Sequence, residues 1–226
     1  MLAQRLSATL QSLENAAQAG QRPVPRLLAV SKTQSATAVA ELAGAGQRAF
    51  GENYVQEAQS KVQALAALEL EWHLIGHLQS NKADIAAEIF DWVQSVDRMK
   101  LVAALARARP AQLPPLNVLI QVNIDDEASK HGCRPAQVAE LAAAIAAEPR
   151  LLLRGLMAIP APDPDLEVRR AAYRGMTTLF QTLAMQHPQV DTLSMGMSDD
   201  FPLAIAEGAT MVRIGTALFG ARAAKP

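Results

Sequence analysis

The chain reads as an α/β protein, a (β/α)8 TIM barrel forming a single domain with one additional N-terminal helix. Three observations predict this. Short β-rich runs alternate with longer Ala-, Leu-, Glu- and Gln-rich runs of helical character, giving about eight strand–helix units, and such alternation implies parallel strands with right-handed crossovers. An amphipathic segment with Leu2, Leu6, Leu10 and Leu13 at near-helical spacing precedes the first unit. No G-x-G-x-x-G follows the first strand, which lowers the competing reading of an open doubly wound sheet.

In order, the leading helix is expected over 1–20, and the barrel over 26–220 of a 1–226 domain. The strand runs are "RLLAVS" (26–31), "RAFG" (48–51), "EWHLIG" (71–76), "WVQSV" (92–96), "LNVLIQVN" (116–123), "LLRGLMAI" (152–159), "DTLSMG" (191–196) and "TMVRIG" (210–215). Helices are expected near 36–45, 54–67, 81–89, 98–109, 135–147, 165–186 and 200–207, and a short "TALFGA" closes the last unit. The Pro-rich stretches 108–117 and 159–165 read as loops, the second ending in Asp165, a residue suited to capping the next helix.

Composition narrows the function classes. Half of the 226 residues are hydrophobic and the net charge is −1. The 21 basic residues form no dense block, which argues against nucleic acid and against a polybasic membrane anchor. Cys133 is the single cysteine, so no intrachain disulfide forms, in keeping with a reducing compartment. No run approaches the roughly 20 apolar residues of a bilayer span, and polar residues interrupt the N-terminal segment too often for a signal peptide. A cytoplasmic protein is expected, and a monomer, since no exposed apolar stripe stands out.

In such barrels the working residues sit at the carboxyl ends of the strands. Lys32 ends the first strand. Glu52 and Asn53 follow the second, His73, Gly76 and His77 surround the end of the third, and Asp97 and Arg98 follow the fourth. Asn123 ends the fifth, and Met157 and Pro160 mark the sixth. "SMGMSDD" (194–200) and "RIGTALFG" (213–220) are rich in glycine and hydroxyl groups, and each opens a helix. Backbone N–H groups with Ser and Thr hydroxyls beside them form an anion cradle, and these barrels commonly bind phosphate after strands 7 and 8; helix caps and turns are the simpler explanation. Lys32 is either a solvated strand end or a Schiff-base lysine whose neutral amine is favoured by semi-burial. A lysine and a phosphate site at one barrel mouth describe a carbonyl compound with a phosphate tail, such as pyridoxal 5′-phosphate (PLP) or a sugar phosphate. His73 and His77 are four apart but do not share a helical face, and "HGC" (131–133) is short of ligands, so no metal is expected. Trp72 and Trp92 are expected to pack in the core or at the barrel ends.

The pieces "LLAVSKTQ", "FGENYVQE", "WHLIGHLQSNK", "SVDR", "VLIQVNI", "LRGLMAIPAP" and "LSMGMSDDFPLAIAEGATMVRIGTALFG" run in order from Leu27 to Gly220. By these motifs the chain resembles the pyridoxal phosphate homeostasis proteins, also called proline synthetase co-transcribed homologues. The resemblance implies a fold type III PLP barrel like that of alanine racemase, with PLP as a Schiff base on Lys32. It implies phosphate binding by Ser194, Gly215 and Thr216, with Ser198 or the 196–197 backbone adding to it. Arg213 would face the pyridine nitrogen and Asn53 the ring, with Val30, His73 and Met157 shaping the pocket. A guanidinium at that nitrogen disfavours its protonation and weakens the ring as an electron sink. Only six residues follow the "LFG" that closes the barrel, so the second domain that gives racemases their other base is not expected. The expected function is therefore non-enzymatic PLP binding in vitamin B6 and amino-acid homeostasis, with PLP-dependent apo-enzymes as possible recipients. A PLP-dependent racemase is the alternative, and a Schiff-base aldolase acting on a sugar phosphate is the third reading. His77 stands where the family commonly has proline, and Lys82 is typical of the family.

Overall fold

Eight parallel strands close into a barrel in chain order, β1 pairing with both β2 and β8. The computed structural model describes residues 1–127, 130–161 and 163–220. The strands are β1 (Arg26–Val30), β2 (Ala49–Glu52), β3 (Glu71–Leu74), β4 (Trp92–Val96), β5 (Leu116–Val122), β6 (Leu151–Ala158), β7 (Thr192–Ser194) and β8 (Met211–Ile214). Around them run α1 (Leu2–Gly20), α2 (Ala36–Gly44), α3 (Val55–Ala64), α4 (Ala83–Ile89), α5 (Met99–Ala108), α6 (Val138–Ala146), α7 (Leu166–Gln186), α8 (Phe201–Ala206) and α9 (Thr216–Phe219). The expected architecture is the observed one. Helix starts follow local chemistry: Ser35 Oγ accepts from Ala38 N at 3.1 Å to cap α2, and Asp165 Oδ1 accepts from Glu167 N at 2.8 Å to cap α7.

The large core lies between barrel and helices. Outward strand residues such as Leu27, Ala29, Phe50, Leu74 and Val93 meet inward helix residues such as Val39, Leu42, Leu101 and Leu105. Two small apolar clusters fill the barrel itself, one of Leu28, Ala49 and Met211, the other of Trp92, Leu119 and Met157. The alternation of strand side chains produces this division. α1 packs on α8, α9 and α2 through Leu6, Thr9, Leu13 and Ala17. Leu10, read from the sequence as part of that stripe, is exposed; Thr9 takes its place because the buried positions follow the 3.6-residue period.

No described helix is long and apolar enough to cross a membrane.

Candidate functional site

A cleft of about 280 Å³ opens where the carboxyl ends of β1, β2 and β8 meet the loop after β7, a volume at the lower edge of the range for small-ligand sites. Val30, Lys32, Asn53, Arg213, Gly215 and Thr216 line it, as do Thr33, Gln34, Ile75, Ile159 and the run Met197–Asp199. Gly76 allows Asn53 to stand there. A Cβ at Gly76 would lie 2.1 Å from Asn53 O, so the ends of β2 and β3 approach as closely as backbones can.

The loop carrying Lys32 is held from outside the barrel. Thr33 adopts φ 65, a left-handed conformation that is costly for a β-branched residue. Its N–H donates to Glu57 Oε1 at 2.5 Å. Lys61, buried on α3, donates at 2.7 Å to Ser31 O, Glu52 Oε1 and Glu57 Oε1. Ser31 Oγ donates to the same Glu52 oxygen at 2.6 Å. A buried ion pair thus ties the ends of β1 and β2 to α3, and Lys32 sits between its two anchored neighbours.

Below the cleft a hydrogen-bond chain runs through the barrel interior. Arg213 Nη1 donates to Ser194 Oγ and to Ser194 O, both at 2.8 Å, and Nη2 donates to Ala158 O at 2.8 Å. Ser194 Oγ donates to Gln94 Oε1 at 2.7 Å, and Gln94 Nε2 donates to His73 Nδ1 at 2.9 Å. His73 Nε2 meets Glu71 Oε1 at 2.5 Å, and Arg26 Nη2 donates to that oxygen at 2.7 Å. A carboxylate only accepts, so the imidazole proton lies on Nε2 and Nδ1 is the acceptor. The side-chain donors that link Arg213, Ser194, Gln94 and His73 therefore all point toward Glu71, which Arg26 meets from the other end.

Burial pushes His73 down and keeps it neutral. Burial also lowers Arg213, to about 10, so it remains charged at neutral pH with Asp200 near it. For Glu71, burial alone would raise the pKa, but the hydrogen bond from His73 and the charge and hydrogen bond of Arg26 hold it at about 2. A depressed carboxylate stabilises the fold above its unfolded value of about 4.3, and that contribution is lost as pH falls toward the folded value. Glu71→Gln is therefore expected to lower the thermal midpoint at neutral pH, with the gap to the parent closing as the medium is acidified. Melting curves across the acid range check this; a gap independent of pH would contradict it.

Of the residues expected in the site, Lys32, Val30, Asn53, Arg213, Gly215 and Thr216 meet in the cleft. His73, Met157 and Ser194 are fully buried below it: His73 stacks on Trp92 with ring centroids 5.1 Å apart, Met157 packs with Trp92 and Leu119, and Ser194 supports Arg213. Gln94 and Glu71 were not expected in the interior chain, nor Lys61 and Glu57 beside Lys32. The loop after β7 is pinned by Asp200, whose Oδ1 accepts from Met197 N at 2.8 Å and whose Oδ2 accepts from Tyr173 Oη at 2.7 Å. Cys133 is buried, and burial with the nearby Asp97 charge pushes its thiol up to about 12, an unreactive form. His77 lines a second groove with Asn53 and Lys82.

The family model for the alanine racemase N-terminal domain matches residues 3–223. The pyridoxal phosphate homeostasis protein of Escherichia coli K12 is 57% identical over 199 residues, covering 87% of this chain and 85% of that protein. Its namesake from Pseudomonas aeruginosa is 52% identical over 223 residues, covering 98% and 96%. PipY of Synechococcus elongatus, solved without and with PLP, superposes with TM-scores of 0.88 and 0.82 at 38% identity, covering 97% of this chain and 100% of that one. Alanine racemase from Corynebacterium glutamicum, 16% identical, shares the fold with a TM-score of 0.69, covering 97% of this chain and 61% of that one. Fold and cleft together define a barrel of the alanine racemase N-terminal type. The chain belongs to that family, among its pyridoxal phosphate homeostasis proteins.

Proposed function

We propose that the chain binds PLP in the cleft as a Schiff base on Lys32. We further propose that it serves intracellular PLP and amino-acid homeostasis in the cytoplasm, without efficient turnover and with PLP-dependent apo-enzymes as recipients. PLP supplies an aldehyde for an amine and a ring that withdraws electrons. The donor set of the cleft suits such a molecule. Lys32 offers the amine. Ser198 and Thr216 offer hydroxyls, and the N–H groups that open α9 have no intrahelical partner, a set that suits a phosphate. Gly215 keeps that wall open, since a Cβ there would lie 3.3 Å from Val30 O.

Arg213 carries the non-catalytic part of the reading. Its guanidinium is charged, buried and held by three hydrogen bonds. Facing the pyridine nitrogen, it would oppose protonation there, because like charges repel. Relatives named for PLP homeostasis and the PLP-bound PipY support the same reading.

The purified protein mixed with PLP is expected to show visible Schiff-base absorbance that borohydride converts to a covalent adduct, and Lys32→Ala is expected to lose both. Failure to take up PLP, or absorbance retained in Lys32→Ala, would overturn the proposal. Deuterium exchange into both alanine enantiomers at enzymatic rates, roughly 1–10³ s⁻¹, would favour a racemase instead.

A further inference from the structure

His77, in the loop after β3, and His131, in the loop after β5, stack with ring centroids 3.8 Å apart and planes 15° apart. Asp97, at the end of β4, lies between those two loops. One potential ligand atom from each of the three falls within 4.8 Å of the others. We propose that His77, Asp97 and His131 form a site for a divalent transition metal, zinc being the best match, on the rim of the barrel beside the cleft.

Chemistry and geometry agree on the class of ion. Two imidazoles and one carboxylate are the ligand set of borderline metals, and three protein ligands leave a fourth position to water or an incoming anion. Tetrahedral zinc with bonds of about 2.0–2.2 Å needs ligand atoms roughly 3.3 Å apart. The three groups must therefore draw in, and the rings must turn out of their stack so that each lone pair meets the ion in its own plane. Both histidines are exposed, which leaves room for that rotation. Asp97 is better fixed: Arg98 Nη1 donates to Asp97 Oδ1 at 2.5 Å while Arg98 Nη2 donates to Leu78 O at 2.8 Å. Such an outer partner orients a ligand carboxylate. The Arg98 charge also weakens the pull of Asp97 on a cation, so the imidazoles carry most of the affinity. The groove lined by His77 also contains Asn53, a residue of the main cleft.

The test uses the full chain stripped with chelator and titrated with zinc in competition with a chromogenic indicator. Cobalt is added separately to read the visible bands of a tetrahedral site. Expected are one zinc per chain and a loss of affinity of at least about tenfold in both His77→Ala and His131→Ala. Asp97→Asn is expected to lose less than either. Melting curves of the variants, which change exposed side chains for the histidines, confirm that the barrel is intact. No saturable zinc binding at micromolar concentration, or stoichiometric binding that survives both histidine substitutions, would overturn the site and leave a stacked pair only.

Discussion

Lys61→Ala is expected to destabilise the protein by about 3–5 kcal/mol, the cost of leaving a buried charge without its partner. Glu52 is wholly buried, and burial already raises its carboxyl pKa against the hydrogen bonds and charge of Lys61 and Ser31. Its second oxygen, Oε2, has no hydrogen-bond partner among the described residues. Without the ammonium, Glu52 must take up a proton or draw water into the barrel–helix layer. The double replacement Glu52→Leu with Lys61→Met removes both charges at similar volume, and is expected to recover most of the loss. Denaturant titrations of the two single variants and the double variant measure the coupling directly. Simple additivity would mean that the pair does not interact. PLP uptake gives a second readout. Lys61 and Glu57 together hold Ser31 and Thr33, so Lys61→Ala is expected to weaken binding even where the barrel remains folded.

Gly155→Ala is expected to be at least as damaging. Gly155 sits within β6 at φ 146, opposite Thr192 of β7. A Cβ there would lie 1.9 Å from Thr192 O, a backbone atom that cannot swing aside. The substitution must part β6 from β7, and so open the barrel next to the strand that carries Ser194. A loss above about 4 kcal/mol is expected, the range reserved for backbone incompatibility and similar causes. Gly175→Ala is the control. Gly175 lies within α7, and a Cβ there meets only the Ile124 side-chain tip at 3.3 Å. Alanine also suits a helix better than glycine by up to about 1 kcal/mol. Comparable melting losses in the two variants would argue against the steric account.

Much of the barrel was legible in the sequence because each element carries its own period. The run 92–96 coincides with β4, bounded on each side by an aspartate, and the run 165–186 differs from α7 by one residue because Asp165 is its cap. Short strands were read up to three residues too long: "DTLSMG" contains only Thr192–Ser194 of β7, since Gly196 at φ 91 has already turned the chain. Lys32, Arg213, Gly215 and Thr216 were legible as strand-end polar residues. Depth was not. Alternation says that His73 and Ser194 point inward, but not that they lie a layer below the cleft. Lys61 in "VQEAQSKVQA" has the look of a solvated helix face, and only the position of Glu52 draws it inside. His77 and His131 belong to different loops, and no periodicity joins residues that closure of the barrel alone makes neighbours.

The interior chain from Arg213 to Glu71 has a consequence for the approach of charged molecules. The chain joins two opposite charges, the Glu71 carboxylate at the amino-terminal rim and the Arg213 guanidinium beneath the cleft, and these end charges give the barrel interior a dipole whose positive end lies toward the cleft. The chain as a whole carries a net charge of −1, yet a small anion arriving at the carboxyl rim meets the positive pole of that dipole. Local field and total charge thus have opposite signs, and local field governs what enters a low-dielectric cavity.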